Sequence, residues 1–177
     1  MKSILITGGA GLVGSVLTKG LKDKFNIRIL DIKKVDGVDS CNGDISNIDS
    51  IMPAFEGIDT VVHLAGDRRV YGDWDSILNN NIIGLYNIYE AARLSGVKRV
   101  VFASSQHATG GFYDVEPYSF INDGKYEKLP TDYKPLDETC RIRPDSFYGA
   151  SKSFGESISS YYSDFHNIST INIRIGW

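Results

Sequence analysis

The 177-residue chain has only two cysteines, Cys41 and Cys140. They lie far apart and match neither a metal-ligand nor a redox spacing, so they read as free thiols of a reducing cytoplasm, with no metal site expected. No basic run occurs and the formal net charge is −3, which argues against a nucleic-acid surface. No apolar run approaches the length of a membrane span. Met1-Lys2 runs straight into an apolar segment, so no signal peptide is expected. Internal repeats and low-complexity tracts are also missing. What is left, 42% hydrophobic and 23% charged residues, suits one globular domain over 1–177 with a full hydrophobic core.

The chain is organised around its first fourteen residues. The apolar run Ile4-Leu5-Ile6 ends in Thr7 and a glycine-rich turn, and an amphipathic segment follows from Leu12 to Leu21. Strand, glycine turn and helix form the context in which glycines three apart signify a dinucleotide turn. Gly8 permits the tight bend, Gly11 lets a pyrophosphate approach the backbone, and Gly14 lets helix and strand pack closely. The unpaired N–H groups and positive end of the helix then face the phosphates. A second strand, Asn26 to Asp31, ends in a carboxylate 17 residues beyond Gly14. Asp31 there accepts hydrogen bonds from the adenosine ribose and repels a 2′-phosphate, favouring NAD over NADP; the alternative is a turn-forming aspartate.

Further along, a short strand near Val38 to Cys41 leads to a helix capped by Ser46 and reaching about Phe55. Residues 58–65 form a near-continuous apolar run, as in a strand buried on both faces, and His63 within it reads as a hydrogen-bonded core residue. A polar loop, 67–75, precedes a helix from about Ser76 to Ser95, with Gly96 as terminator. Residues 98–103 form a strand delivering Ser104 and Ser105. Residues 106–143 are irregular and aromatic-rich, which favours an ordered flap. A helix capped at Pro144-Asp145-Ser146 runs to about Phe165, and a last strand covers 169–175. Alternating strands and helices predict a doubly wound parallel α/β sheet, with ligands beyond the carboxyl ends of the strands.

Tyr148 and Lys152 stand four apart on one helix face. A phenol with a pKa near ten is a poor base at neutral pH; a neighbouring ammonium and an oxidised nicotinamide favour the phenolate. With Ser105 on the same substrate oxygen, they form a proton-transfer centre for carbinol–carbonyl interconversion. Alone, such a pair is usually a solvated helix face.

The run TGGAGLVG, Gly43-Asp44, His63-Leu64-Ala65-Gly66, Asn81 with Gly84, Ser104-Ser105 and Tyr148-xxx-Lys152 together resemble the extended short-chain dehydrogenase/reductases, the NAD-dependent epimerase/dehydratase family, across nearly the whole chain. The resemblance implies a Rossmann fold whose C-terminal substrate-domain portion is missing here. It implies that Gly8, Gly11, Leu12, Val13 and Gly14 follow the pyrophosphate and that Asp31 holds the ribose. Asp44 and Ile45 would hold the adenine, with Leu64, Ala65, Gly66 and Ser104 beside the cofactor. Ser105, Tyr148 and Lys152 would be the catalytic set, Lys152 also bonding the nicotinamide ribose, and Asn81 would support the proton relay.

The segments NNNIIGLYNIYEAAR, RVVFASSQHATGGFY and FYGASKSFGE are similar to the uronate dehydrogenase and sugar 1-dehydrogenase branch. That likeness implies NAD-dependent oxidation of a sugar, uronate or sugar phosphate at C1, with Gln106 and His107 on substrate hydroxyls; a loop histidine bonding backbone is the alternative for His107. Nucleotide-sugar epimerases and dehydratases usually carry Val-Tyr-Gly where this chain has Ala108-Thr109-Gly110. They remain the second reading, and a non-catalytic NAD-sensing module the third. Arg68 or Arg69 suits an anionic group on the substrate, or is a surface charge pair. Arg174, on the last strand, is also placed on the substrate side. A cytoplasmic homodimer is expected, without membrane or nucleic-acid partners, pairing through the two long helices. Ile158, Tyr161, Tyr162 and Phe165 would furnish that surface or pack on the domain's own sheet.

Overall fold

The computed structural model describes residues 1–176. Six strands form one sheet: β1 (Ser3–Thr7), β2 (Asn26–Asp31), β3 (Asp39–Asn42), β4 (Thr60–His63), β5 (Arg99–Ser105) and β6 (Ser169–Ile175). All neighbours are parallel, in the order β3-β2-β1-β4-β5-β6. The order reverses between β1 and β4, and a crevice opens beyond the strand ends at such a switch point.

The apolar runs are strands because each face meets a separate core. Side chains alternate faces along a strand. In β1, Leu5 joins a core with Leu30, Val61, Val100 and Phe102, while Ile4 and Ile6 join another with Ile27 and Ile29. The first core is covered by α2 (Ile48–Ile51), a 3-10 turn (Met52–Phe55), α4 (Gly84–Leu94) and α6 (Phe147–His166). The second is covered by Leu17 and Leu21 of α1 (Leu12–Leu21). Beyond that cover, Ile171, Ile173 and Ile175 of β6 remain 43–49% exposed.

Three local details differ from the sequence reading. The cap before α2 is Asn47, whose side chain accepts the Asp49 N–H at 3.1 Å, while Ser46 lies one residue earlier in a turn where its N–H donates to Asp44. The helix predicted from Ser76 begins as α3 (Trp74–Ser76), becomes a π-helix over Ile77–Ile83, and continues as α4. Its C-terminus matches expectation, with Gly96 at φ +72°. The flap contains two 3-10 turns, Gln106–Ala108 and Gly110–Phe112, then α5 (Tyr118–Asn122) and a turn at Tyr126–Lys128. Its base is cross-tied by Arg143, which donates to the Ala108 carbonyl (3.0 Å) and accepts the Gly111 N–H (2.8 Å).

Tyr162 is buried and Ile158 packs on the main core, whereas Tyr161 and Phe165 are exposed. The candidate pairing surface therefore divides between interior and exterior. Among the described residues no helix is long and apolar enough to cross a membrane.

Helix α6 touches the sheet through Gly155, where an added Cβ would strike the Phe102 ring and lie 2.9 Å from Leu85 Cδ2. Overpacking typically costs about 1–3 kcal/mol. Valine gains roughly a few tenths of a kcal/mol of helix propensity over glycine, less than the overpacking cost, so Gly155→Val is expected to lower the urea midpoint with little change in slope; an unchanged midpoint would show this contact to be loose.

Candidate active site

The crevice begins with the glycine turn. Gly8 has φ +72°, and an added Cβ would lie 2.8 Å from the Ala65 amide nitrogen; one at Gly14 would strike the Gly8 carbonyl. The turn is held by Gly8 N–H on the Leu30 carbonyl (2.8 Å) and Gly11 N–H on the Gly8 carbonyl (3.0 Å). Helix α1 starts without a side-chain cap or an acidic first-turn residue, so its positive end is unneutralised. Asp31 closes the turn from β2, accepting the Ala10 and Lys33 N–H groups at 2.9 and 3.0 Å. Asp44 and Ile45 continue this wall; Leu64, Ala65 and Gly66 form part of the opposite wall. The cleft encloses about 830 Å³ and also reaches Arg68, Ser104, Ser105, Tyr148 and Lys152.

The ends of β1 and β4 are joined by one hydroxyl. Thr7 Oγ1 accepts the Leu64 and Ala65 N–H groups at 3.2 and 3.3 Å and lies 2.7 Å from Nδ1 of His63. With two donors on its lone pairs, the hydroxyl gives its own proton to Nδ1. Burial, then the charge of Lys152, holds the His63 ring neutral by lowering its pKa to about 3. His63 is thus the core residue expected, stacked on Phe102 at 5.9 Å.

Tyr148 and Lys152 face the crevice from the first turns of α6, whose cap Ser146 accepts the Gly149 N–H at 3.0 Å. The Lys152 ammonium donates to the Ala103 carbonyl at 2.8 Å and lies 4.9 and 5.3 Å from the Phe102 and Tyr148 ring centroids. Burial lowers its pKa to about 8. Burial also raises the Tyr148 phenol, Ser105 pulls the other way, and Asp67 adds to the rise. The expected lowering of the phenol by Lys152 is therefore not what the folded chain alone produces: the ammonium lies against the ring and is turned to a carbonyl. Ser105 accepts the His107 N–H at 3.2 Å, leaving its own proton to give.

Asn81 lies within the π-helix. Its carbonyl accepts the Asp67 N–H (2.7 Å), and its amide donates to the Asp67 carbonyl (2.9 Å) and Ser151 Oγ (3.1 Å). It thereby pins the crevice wall to α6. Asp67 holds Arg69 through both carboxylate oxygens, and Arg69 also reaches Asp73 at 3.3 Å. Hydrogen bonding from Arg69 keeps the Asp67 carboxyl well below the usual range, despite partial burial. Of the two arginines, Arg69 is thus engaged, while Arg68 makes no side-chain hydrogen bond or ion pair among the described residues.

The other residues placed on the substrate side separate. Gln106 and Arg174 line a neighbouring cavity of about 700 Å³. Arg174 is gripped there by Glu156, with Nε and Nη2 each 2.8 Å from a carboxylate oxygen, so most of its fork is occupied. His107 stands edge-on to Tyr148 and hydrogen-bonds Asp145. Sequence reasoning missed Asp145, Glu156, Asp67 and Ser151. Glu156 had a visible signal, since Tyr148, Lys152 and Glu156 recur every four residues along one stripe. Among the described residues no group of three or more His, Cys, Asp or Glu is arranged to hold a metal ion.

The family model described as the NAD dependent epimerase/dehydratase family matches residues 4–176. L-arabinose 1-dehydrogenase (NAD(P)(+)) of Haloferax volcanii is 38% identical, over 100% of this chain and 67% of its own length. Uronate dehydrogenase of Pseudomonas syringae pv. tomato is 37% identical, over 98% of this chain and 58% of its own. A solved mutant of Agrobacterium tumefaciens uronate dehydrogenase, complexed with NAD, superposes with a TM-score of 0.77 at 33% identity, covering 96% of this chain and 59% of that one. The chain thus spans 58–67% of the length of these relatives.

Burial holds Lys152 at a pKa of about 8, below that of an ordinary lysine. Its ammonium is therefore disfavoured by folding below about pH 8, and that penalty fades as pH rises toward the unfolded value. In the protein without added nucleotide, NMR of isotopically methylated lysines should show one amine titrating near pH 8, absent in Lys152→Met. Titration of that amine with the surface lysines would refute the enclosure described here.

Proposed function

The chain belongs to the NAD-dependent epimerase/dehydratase family, and on that premise we propose that it is an NAD-dependent oxidoreductase acting on a free sugar, uronate or sugar phosphate at C1. The observation that carries this reading is the convergence of Ser105, Tyr148 and Lys152 at one end of a glycine-walled crevice at the switch point of the sheet.

The crevice suits a dinucleotide, because a Cβ at Gly8 or Gly14 would collide with backbone and α1 presents uncapped N–H groups. Gly8, Gly11, Leu12, Val13 and Gly14 would hold the pyrophosphate, Asp31 the adenosine ribose, Asp44 and Ile45 the adenine, and Leu64, Ala65, Gly66 and Ser104 the remaining length. Asp31 at the rim favours NAD over its 2′-phosphorylated form. Bound NAD supplies the hydride acceptor and a positive ring.

The chain's own residues handle the proton. Tyr148 takes it from the substrate hydroxyl, and Ser105 donates to the same oxygen and orients it. With NAD bound, Lys152 would favour the phenolate and bond the nicotinamide ribose. Asn81 supports the relay by fixing the wall opposite α6. Arg68, with its guanidinium unengaged, takes an anionic substituent of the substrate where one is present. His107, edge-on to Tyr148, contacts the rest of the sugar, whereas Gln106 and Arg174 line the neighbouring cavity, Arg174 being held by Glu156, and are not assigned to it. We also propose a cytoplasmic homodimer, paired through α4 and α6 with Tyr161 and Phe165 outward. Sedimentation showing only monomer would refute the pairing.

A nucleotide-sugar epimerase or dehydratase that recycles its NAD is the competing reading. Assay of the full-length gene product against uronates, aldoses, aldose phosphates and UDP-sugars separates them, since only a dehydrogenase releases free NADH. Tyr148→Phe is expected to lower turnover by about 10²- to 10⁴-fold while leaving NAD affinity nearly unchanged. NAD binding without turnover in the parent, and a Tyr148→Phe variant that behaves like it, would favour a sensing module. Arg68→Ala should raise KM for anionic sugars and leave neutral aldoses unaffected; equal KM values for parent and variant would remove Arg68 from the site.

A further inference from the structure

Asp145 has no role in the reading above, yet it is built into the corner beside Tyr148. Its Oδ2 lies 2.6 Å from Nδ1 of His107, with 22% and 18% of the two side chains exposed. Its Oδ1 accepts the hydroxyl proton of Ser146, the cap of α6, at 2.8 Å. The backbone around the pair is glycine where it must be. A Cβ at Gly110 would strike the Asp145 carboxylate, and one at Gly149 would strike the His107 carbonyl. The cross-tie from Arg143 to Ala108 and Gly111 holds the two segments in register.

This geometry decides where the imidazole keeps its proton. A carboxylate can only accept, so Nδ1 carries the hydrogen in the neutral ring and Nε2 keeps its lone pair. The same ring meets Tyr148 edge-on, with centroids 5.8 Å apart. The backbone N–H of His107 occupies a lone pair of Ser105, which turns the serine proton outward.

We propose that Asp145 is a positioning residue: it holds His107 as the Nδ1–H tautomer, so that Nε2 accepts a hydrogen bond from a sugar hydroxyl next to the one Tyr148 deprotonates. This rests on the sugar-oxidation reading. It adds that the substrate must carry a free hydroxyl beside the reacting carbon, because a half-buried acceptor left unpaired discriminates against an analogue lacking the donor.

The test compares the parent with Asp145→Asn and Asp145→Glu. Histidine ring-nitrogen NMR gives the tautomer, with His107→Gln assigning the signal, and steady-state kinetics use the preferred sugar and its deoxy analogue. The parent ring should be Nδ1–H. Asp145→Asn, which keeps the volume but offers an N–H of its own, should mix the tautomers. It should also raise KM about 10- to 100-fold with a smaller effect on kcat and erode discrimination against the deoxy sugar; Asp145→Glu should restore the tautomer and part of the KM. An Nε2–H parent ring overturns the proposal, as does a tautomer change that leaves KM unmoved. If Asp145→Asn fails to fold, the parent and Asp145→Glu spectra decide. If the parent oxidises no sugar, the sugar-oxidation reading fails by itself, and the spectra alone judge the positioning role: an unaltered tautomer in Asp145→Asn refutes it, and a redistributed one upholds it.

Discussion

The Thr7 hydroxyl is the interaction on which the architecture turns. It takes two N–H groups from the end of β4 and gives its proton to His63, and so locks the two central strands together where the order of the sheet reverses. Just beyond it the Gly8 and Ala65 backbones approach too closely for any side chain between them. The crevice exists because its two walls are fastened at the base and diverge above. A neutral His63 is part of that fastening, since a buried imidazolium would have to be desolvated beside the ammonium of Lys152.

Charge is apportioned unevenly around the crevice. Arg69 and Arg174 each grip a carboxylate through both of its oxygens. Planar guanidinium suits such two-oxygen contacts. Lys152 instead rests against two aromatic rings and a carbonyl, with no counter-ion among the described residues. It is the cation whose protonation the fold has made adjustable. The phenol beside it is shifted by burial in the opposite sense, so burial moves each group toward its neutral form.

Much of this was legible in the chain itself. Apolar runs bounded by glycine and aspartate give the strands, because a parallel strand covered on both faces needs no polar alternation. The glycine spacing gives the turn, and the four-residue interval places Tyr148 and Lys152 on one stripe. Asn47 rather than Ser46 is the cap because the turn held by Asp44 carries the chain one residue further before the helix starts, which depends on the turn rather than on propensity. Pairs such as His107 with Asp145 or Arg174 with Glu156 join different elements, and no local period announces them. Nor does composition show that Arg68 is unengaged among the described residues while Arg69 is held twice.

The π-helical stretch Ile77–Ile83 has a consequence for how this molecule tolerates change. A π turn places one residue more in the helical repeat than an α turn does, which makes it equivalent to an insertion absorbed without a loop. Removing Asn79 or Asn80 would let the helix relax to ordinary winding and turn Asn81 away from Asp67 and Ser151. The helix would survive and the wall it supports would not, so length here is constrained more tightly than amino-acid identity.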